Sequence, residues 1–308
     1  MIYPSRVKVV EVSPRDGLQA EKVTVSVASR IQFVNLLSDA GFKTIEVGSF
    51  VSPKWVPNME ESDKVYQGIT KEEGINYSVL IPNLKGYKIA LENKVDSIAV
   101  FTAASETFCQ KNINSSIKAS LENFRAFIPD AKKKGLWVRG YISCAIACPY
   151  EGFISPKKVH EMALALLSMG CDEISLGDTI GVGTPLKVKH LIKGIPIPLE
   201  KLAVHFHDTY GQGIANIYAA LLEGISIVDS SASGLGGCPY APGASGNVAT
   251  EDVIYLLHGL GIETGIDLSK LLKASLFIDD ILKKETSSKA SKALRINKNN
   301  LHRSYFEK

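Results

Sequence analysis

The chain has 308 residues, of which 45% are hydrophobic and 22% charged, and its formal net charge is +3. This composition is ordinary for a globular protein, and so small a net charge gives no reason to expect a nucleic-acid or membrane partner. No apolar stretch approaches the length needed to cross a bilayer. Five cysteines in a chain of this size do not indicate a disulfide framework and favour a reduced, intracellular protein.

Strand-like sequence begins at Val7, which leaves no room for a signal or transit peptide. We therefore expect a cytoplasmic protein. A mitochondrial protein whose transit peptide has been removed would have the same sequence.

Eight short runs rich in β-branched residues recur along the chain, and each is followed by a segment with helical periodicity. We predict strands at Val7–Val12, Lys43–Gly48, Asn76–Ile81, Val95–Phe101, Leu136–Ser143, Cys171–Leu176, Leu202–His207 and Ser226–Ser230. Alternating strands and helices indicate a parallel sheet, and eight such units in a chain of this length predict a (β/α)8 TIM barrel.

Two intervening helices have recognisable ends. Ser26–Gly41 places apolar side chains on one helical face. Ser155 is a typical N-cap, with Pro156 at the first helical position and Gly170 at the stop.

The alternative fold is a doubly wound open sheet. Such a fold normally carries a glycine-rich phosphate-binding turn after its first strand. Here that turn reads Ser13-Pro14-Arg15-Asp16-Gly17, which favours the barrel.

The strand and helix rhythm ends near residue 268. We predict a catalytic barrel over residues 1–268 and a C-terminal helical extension with a basic tail over 269–308. The cations of the tail are either a solvated surface or a flap whose lysines meet the phosphates of a long ligand.

Polar residues gather where the predicted strands end, which is where TIM barrels carry their active sites. Arg15 and Asp16 end the first strand, Glu46 lies in the second, and the sixth leads into Asp178. Arg15 is either a strand-end ion-pair partner or a group that holds a carboxylate, a phosphate or a developing enolate oxygen. Glu46 either pairs with Arg15 or orients a catalytic group, and Asp178 is either a helix cap or a partner for a histidine N–H.

The seventh strand ends in His205 and His207. Side chains two residues apart on a strand lie on the same face, so this pair can grip one metal ion. Asp16 is a candidate third ligand. Asn247 is a candidate fourth ligand or else the N-cap of a helix over Val248–Leu260. Two imidazoles and two hard oxygens suit Mg²⁺ or Mn²⁺ and do not exclude Zn²⁺ or Co²⁺.

A glycine-rich loop follows the eighth strand, from Ser233 to Asn247, and carries one thiol, Cys238. Gly236 and Gly237 directly precede the thiol. Glycines at this density indicate backbone that bends sharply or approaches a ligand closely. The loop is either a mobile lid carrying one chemical group or a surface loop with an incidental cysteine. The pair Cys144 and Cys148 is better explained by buried packing than by thiol chemistry.

Taken together, these residues resemble 3-hydroxy-3-methylglutaryl-CoA (HMG-CoA) lyases. The resemblance runs from about Arg6 to Ser288. Five segments carry it: VEVSPRDGLQAEK at Val10–Lys22, IEVGSFVSPKWVPNM at Ile45–Met59, SLGDTIGVGTP at Ser175–Pro185, VHFHDTYGQ at Val204–Gln212 and GLGGCPYAPGASGNVATED at Gly234–Asp252.

The resemblance implies metal-dependent cleavage of HMG-CoA to acetyl-CoA and acetoacetate, a step of leucine breakdown and ketone-body formation. It implies that four residues bind a Mg²⁺ or Mn²⁺ ion: Asp16, His205, His207 and Asn247. Arg15 and Cys238 would be catalytic, with Glu46 and Asp178 in support. His205, or alternatively Asp16, would deprotonate the C3 hydroxyl, Arg15 would stabilise the enolate, and Cys238 would donate the final proton.

Two other functions are consistent with parts of the sequence. One is a condensing enzyme of the same superfamily that joins acetyl-CoA to a 2-oxo acid, although such enzymes usually show Gly-x-Gly-Glu-Arg-x-Gly-Asn where this chain has its cysteine loop. The other is a barrel that only binds an acyl-CoA. An acyl-CoA substrate and a homodimer are the expected partners.

Overall fold

The computed structural model of the protein describes residues 3–237 and 246–296. Eight parallel strands close into a barrel in the order β1-β10-β9-β8-β5-β4-β3-β2. Their bounds are Lys8–Glu11 (β1), Thr44–Ser49 (β2), Asn76–Leu80 (β3), Ser97–Ala103 (β4), Trp137–Ser143 (β5), Glu173–Asp178 (β8), Leu202–Phe206 (β9) and Ile227–Ser230 (β10). The predicted (β/α)8 barrel is confirmed, and each predicted strand overlaps an observed one.

A small antiparallel hairpin interrupts this rhythm after β5. It consists of Ala147–Cys148 (β6) and Gly152–Phe153 (β7). Strands of two residues are too short to produce an alternating pattern of apolar and polar residues, so they could not be predicted. Cys144 precedes the hairpin and Cys148 lies in β6; both are buried, and no disulfide joins them.

Twelve α-helices lie in the described residues. Their bounds are Val27–Asp39 (α1), Ser62–Gly68 (α2), Leu84–Glu92 (α3), Glu106–Ile113 (α4), Ile117–Arg125 (α5), Ile128–Lys133 (α6), Pro156–Met169 (α7), Pro185–Lys193 (α8), Gly213–Leu222 (α9), Thr250–Gly259 (α10), Leu268–Leu282 (α11) and Lys289–Ile296 (α12). In the described part of the chain no helix is long and apolar enough to cross a membrane.

Local capping chemistry explains where the clearest helices begin and end. The Ser26 side chain accepts a hydrogen bond from the Ser29 amide at the start of α1. Ser155 caps α7 in the same way, and Gly170 ends that helix with φ 113°. Glycine is the residue that adopts this left-handed conformation without steric cost.

The barrel strands are buried on both faces, because helices cover the outside and side chains fill the lumen. All six residues of β2 and all six of β8 are buried, as expected of strands in a parallel sheet. The lumen also contains charges. Arg139 on β5 contacts Asp229 on β10 at 2.5 Å, and since β9 and β8 separate these strands in the barrel wall, the contact crosses the interior.

Helices α11 and α12 follow the last barrel unit. Helix α11 packs against α1, and its Asp279 accepts from the Ser233 hydroxyl at 2.5 Å. Arg295 of α12 forms a 2.7 Å ion pair with the same carboxylate. The two helices therefore brace the turn that follows β10. That residues 269–308 form a separate extension stays a prediction, and 297–308 lie outside the described residues.

Candidate active site

The first strand delivers Arg15 and Asp16 through an unusual turn. Residues Ser13–Gly17 form one turn of π-helix, in which the amides of Arg15, Asp16 and Gly17 all donate to the carbonyl of Val12. π-turns are rare and occur frequently at functional sites. This turn directs two consecutive charged side chains to the carboxyl end of the barrel.

Asp16, His205 and His207 come together at this end. One potential ligand atom from each of them lies within 4.8 Å of the other two. The Nε2 atom of His205 lies 3.8 Å from Asp16 Oδ2, and the two imidazole rings are 5.5 Å apart between centroids. The two-residue spacing at the end of β9 therefore places both rings on one side, as the sequence predicts.

Asn247 joins this cluster through backbone pairing. The amide of Val248 donates to Phe206 O, and the amide of Asp208 donates to Gly246 O, so the segment around Asn247 runs alongside the end of β9. The Asn247 side chain donates to Asp16 Oδ2 at 2.7 Å. The N-cap alternative is wrong, because α10 begins at Thr250 and its N-cap position is Ala249.

Gly236 makes room for the Asn247 side chain. It has φ +134°, and a Cβ atom there would lie 2.7 Å from Asn247 Nδ2. Gly237 is also described, and among the described residues the neighbour that a Cβ on it would meet is Ala20, at 3.5 Å. Cys238, the predicted proton donor, lies outside the described residues.

Neighbouring charges and burial shift the pKa values of Asp16 and His207 in this cluster. Burial raises the pKa of Asp16, but the charge of Arg15, the charge on His205 and the hydrogen bond from Asn247 outweigh it, so this pKa lies well below its usual range. Burial, together with the neighbouring His205, lowers the pKa of His207 to about 4. At neutral pH the site therefore presents an ionised carboxylate and a neutral His207, the protonation states that bind metal ions.

Arg15 is held between two carboxylates. Its Nε and Nη2 atoms each lie 2.7 Å from Glu46 Oε2, and its Nη1 atom donates to Asp16 Oδ1 at 2.5 Å. Burial opposes the charge of Arg15, but Glu46 and Asp16 raise its pKa further above the usual value. Glu46 is fully buried and also accepts from the Tyr141 hydroxyl at 3.3 Å.

The histidine partner is Asp229 and not Asp178. Asp229 Oδ2 lies 3.2 Å from His205 Nδ1, because the parallel register of β9 and β10 pairs these two residues directly. Asp229 lies within the eighth predicted strand, Ser226–Ser230, but no local pattern in the sequence links it to a histidine. Its partner Arg139 was not predicted, because an arginine inside a strand gives no sign of the carboxylate that it meets across the lumen.

Asp178 instead holds the turn that follows β8. Its Oδ2 atom accepts from the Gly183 amide at 2.8 Å, and burial raises its pKa to about 6. The contact fixes the 179–184 segment beside the metal-ligand candidates.

The residues present fit a divalent cation. The Nδ1 atom of His207 is buried and has no hydrogen-bond partner among the described residues, while the ring makes a backbone hydrogen bond with Thr179. An imidazole fixed on one side and unpartnered on the other is typical of a metal ligand. Two imidazoles, a carboxylate and an amide oxygen form a donor set suited to Mg²⁺ or Mn²⁺.

The chain is similar over most of its length to proteins named hydroxymethylglutaryl-CoA lyase. "Hydroxymethylglutaryl-CoA lyase, mitochondrial" of Pongo abelii is 56% identical over 94% of this chain and 90% of its own length. "3-hydroxy-3-isohexenylglutaryl-CoA/hydroxy-methylglutaryl-CoA lyase" of Pseudomonas aeruginosa is 55% identical over 96% of this chain and 99% of its own. The crystal structure of hydroxymethylglutaryl-CoA lyase from Pseudomonas aeruginosa superposes with a TM-score of 0.95 at 55% identity, covering 96% of this chain and 100% of the other. The HMGL-like family model matches residues 6–278, and the chain belongs to the HMGL-like family.

Proposed function

We propose that this protein is an HMG-CoA lyase that cleaves 3-hydroxy-3-methylglutaryl-CoA to acetyl-CoA and acetoacetate with the help of a divalent cation. The observation that carries the proposal is the cluster of Asp16, His205 and His207 with Arg15 beside it. Relatives that are 55% identical or more and bear this activity in their names support it.

Four side chains would hold the cation: Asp16, His205, His207 and the Oδ1 atom of Asn247. When bound, the cation would favour the ionised form of the substrate's tertiary hydroxyl, as it does for bound water. The choice between Mg²⁺ and Mn²⁺ is part of the proposal, as the donor set accepts both.

Cleavage requires a base for the C3 hydroxyl, for which His205 and Asp16 are the two candidates. Asp229 engages His205 Nδ1, and His205 Nε2 faces the ligand cluster, so neither nitrogen keeps a free lone pair once a cation is bound. A carboxylate has about four lone-pair positions. Asp16 therefore retains acceptor capacity beside the bonds from Arg15 and Asn247.

Arg15 would stabilise the developing enolate. Its contacts with Glu46 and Asp16 use three N–H groups, and a guanidinium has five. Two donors remain to bond the thioester oxygen as it becomes anionic. Glu46 and Tyr141 would hold the guanidinium plane in place, while Asp178 shapes the adjacent turn.

Cys238 would supply the proton that converts the enolate carbon to the methyl group of acetyl-CoA. A thiol of ordinary pKa, about 8.5, is mostly protonated at pH 7 and can act as an acid. A nucleophilic role would need a neighbouring base, and the loop sequence offers none.

Identification of the products tests the proposal. Purified protein incubated with HMG-CoA and Mg²⁺ should yield acetyl-CoA and acetoacetate in equal amounts by mass spectrometry. His207→Ala should lose most of this turnover, whereas His190→Ala, at an exposed position on α8, should keep it. Release of free CoA from acetyl-CoA and a 2-oxo acid, without cleavage of HMG-CoA, would instead indicate the condensing enzyme, which the names of the relatives do not favour.

The acyl-CoA partner follows from this activity, and one relative is named for two such substrates. A homodimer stays a prediction that light scattering would test. The cytoplasmic or mitochondrial location also stays a prediction, since the relatives include both a bacterial and a mitochondrial enzyme.

A further inference from the structure

Asp229 contacts His205 on the side that faces away from the candidate metal site. Its Oδ2 atom lies 3.2 Å from His205 Nδ1, and the other ring nitrogen, Nε2, lies 3.8 Å from Asp16 Oδ2. An ionised carboxylate can only accept hydrogen bonds. A His205 proton must then reside on Nδ1, and in the neutral ring the lone pair is on Nε2.

Buried partners hold Asp229 itself. Arg139 Nη2 donates to Asp229 Oδ1 at 2.5 Å, and the Ser175 hydroxyl donates to Oδ2 at 2.8 Å. Asp229 and Arg139 are each no more than 1% exposed. Arg139 cannot lose its proton and has no acceptor atom, so it keeps the facing carboxylate ionised and fixes its orientation.

Arg139 is anchored on its far side as well. Its Nε atom lies 3.0 Å from Glu173 Oε1, and Nη1 donates to the Tyr141 hydroxyl at 3.1 Å. Glu173 in turn pairs with Lys8 at the start of β1. A line of alternating charges therefore leads from the amino end of the barrel to His205.

We propose that Asp229 is a positioning residue for the metal site: it holds His205 as the Nδ1–H tautomer so that Nε2 presents its lone pair to the cation. Arg139 and Ser175 keep Asp229 in place for this task. The inference rests on the metal site proposed above and adds a residue that acts on the cation through a ligand.

Asp229→Asn tests this role because an amide side chain has one acceptor oxygen and one donor NH₂ group, whereas a carboxylate only accepts. Because Arg139 only donates, the amide oxygen of an asparagine would face Arg139, and its NH₂ group would face His205. The Nδ1 atom would then have to accept, which moves the ring proton to Nε2, where it competes with the cation. Because the substitution preserves the shape and volume of the side chain, we expect its main effect to be a change in the tautomer of His205.

The matched control is Glu173→Gln. Glu173 is a second buried carboxylate that pairs with the same arginine, and no hydrogen bond or ion pair between it and a described histidine is found. If Asp229 served only as a counterion for Arg139, both substitutions should have similar consequences. If Asp229 sets the tautomer of His205, only Asp229→Asn should change metal binding.

The experiment is titration of the metal-free proteins with Mn²⁺ by calorimetry, together with ¹⁵N–¹H NMR of the imidazoles. We expect Asp229→Asn to weaken Mn²⁺ binding about 10- to 100-fold, Glu173→Gln to stay within about threefold, and His205 of the unaltered protein to show a proton on Nδ1. If folded Asp229→Asn and the unaltered protein bind Mn²⁺ with equal affinity, the role proposed for Asp229 is wrong, whereas the proposed metal site is unaffected.

A neutral His205 ring with its proton on Nε2 and none on Nδ1 in the unaltered protein would also show that this role is wrong, and this measurement stands even if the variant fails to fold. Absence of Mn²⁺ binding to the unaltered protein would overturn the metal site and the inference together.

Discussion

Replacement of Arg15 by glutamine tests two roles of this side chain: neutralising Glu46 and donating hydrogen bonds to the substrate. The side chain is 8% exposed and Glu46 is fully buried, so the substitution leaves a buried carboxylate without its cation. It also removes the two N–H donors that remain for a substrate oxygen. One change therefore acts on stability through Glu46 and on turnover through the missing donors.

The two magnitudes follow from these contacts. Breaking a buried ion pair by removing one partner costs about 3–5 kcal/mol. Loss of an oxyanion-stabilising donor lowers kcat by about 10²- to 10³-fold. Metal affinity should fall much less than kcat, because none of the four ligand candidates is replaced.

The assays are urea unfolding, acetoacetate production and Mn²⁺ titration on the same preparation. Arg6→Gln is the control, since Arg6 pairs with Glu263 on the surface, where the two side chains are 79% and 69% exposed. It should cost less than about 1 kcal/mol and leave turnover unchanged. Turnover of folded Arg15→Gln within tenfold of the unaltered protein would refute the role given to Arg15.

Two further predictions concern the segment after β10. Cys238→Ser should reduce turnover severely and leave Mn²⁺ affinity nearly unchanged; a fall in affinity would mean that the thiol position is structural. Glu251 is buried, accepts from the Ser233 amide and the Ser275 hydroxyl, and burial raises its pKa from 4.5 to about 7. Between these two pH values the folded protein keeps a proton that the unfolded chain loses, so stability falls as the pH rises. From pH 5 to pH 8 the unaltered protein should lose up to about 3 kcal/mol more than Glu251→Gln in urea unfolding, and equal losses would contradict the assignment.

The barrel could be predicted from the sequence because both its strands and its helices leave recognisable local patterns. Parallel strands buried on both faces are continuous apolar runs, and helices between them begin and end at capping residues such as Ser155 and Gly170. Once eight strands run parallel, their carboxyl ends must meet. Residues as distant in the chain as Asp16 and His205 could therefore be expected to lie together.

The remaining features depend on register and on contacts across the lumen. Whether Asp178 or Asp229 meets His205 is decided by the pairing of β9 with β10, which no local pattern encodes. Asn247 has the residue type of a helix cap, but pairing of its segment with the end of β9 sets its position. Arg139 on β5 illustrates the same limit, because its partner Asp229 lies on β10, which is not a neighbour of β5 in the barrel.

We propose that cleavage of HMG-CoA depends on a divalent cation that Asp16, His205, His207 and Asn247 would hold. The most direct measurement is acetoacetate production by protein that has been exhaustively treated with chelator, before and after addition of Mg²⁺ or Mn²⁺. We expect turnover to disappear when the metal is removed and to return on addition of either ion. Full turnover by the metal-free protein would contradict this proposal.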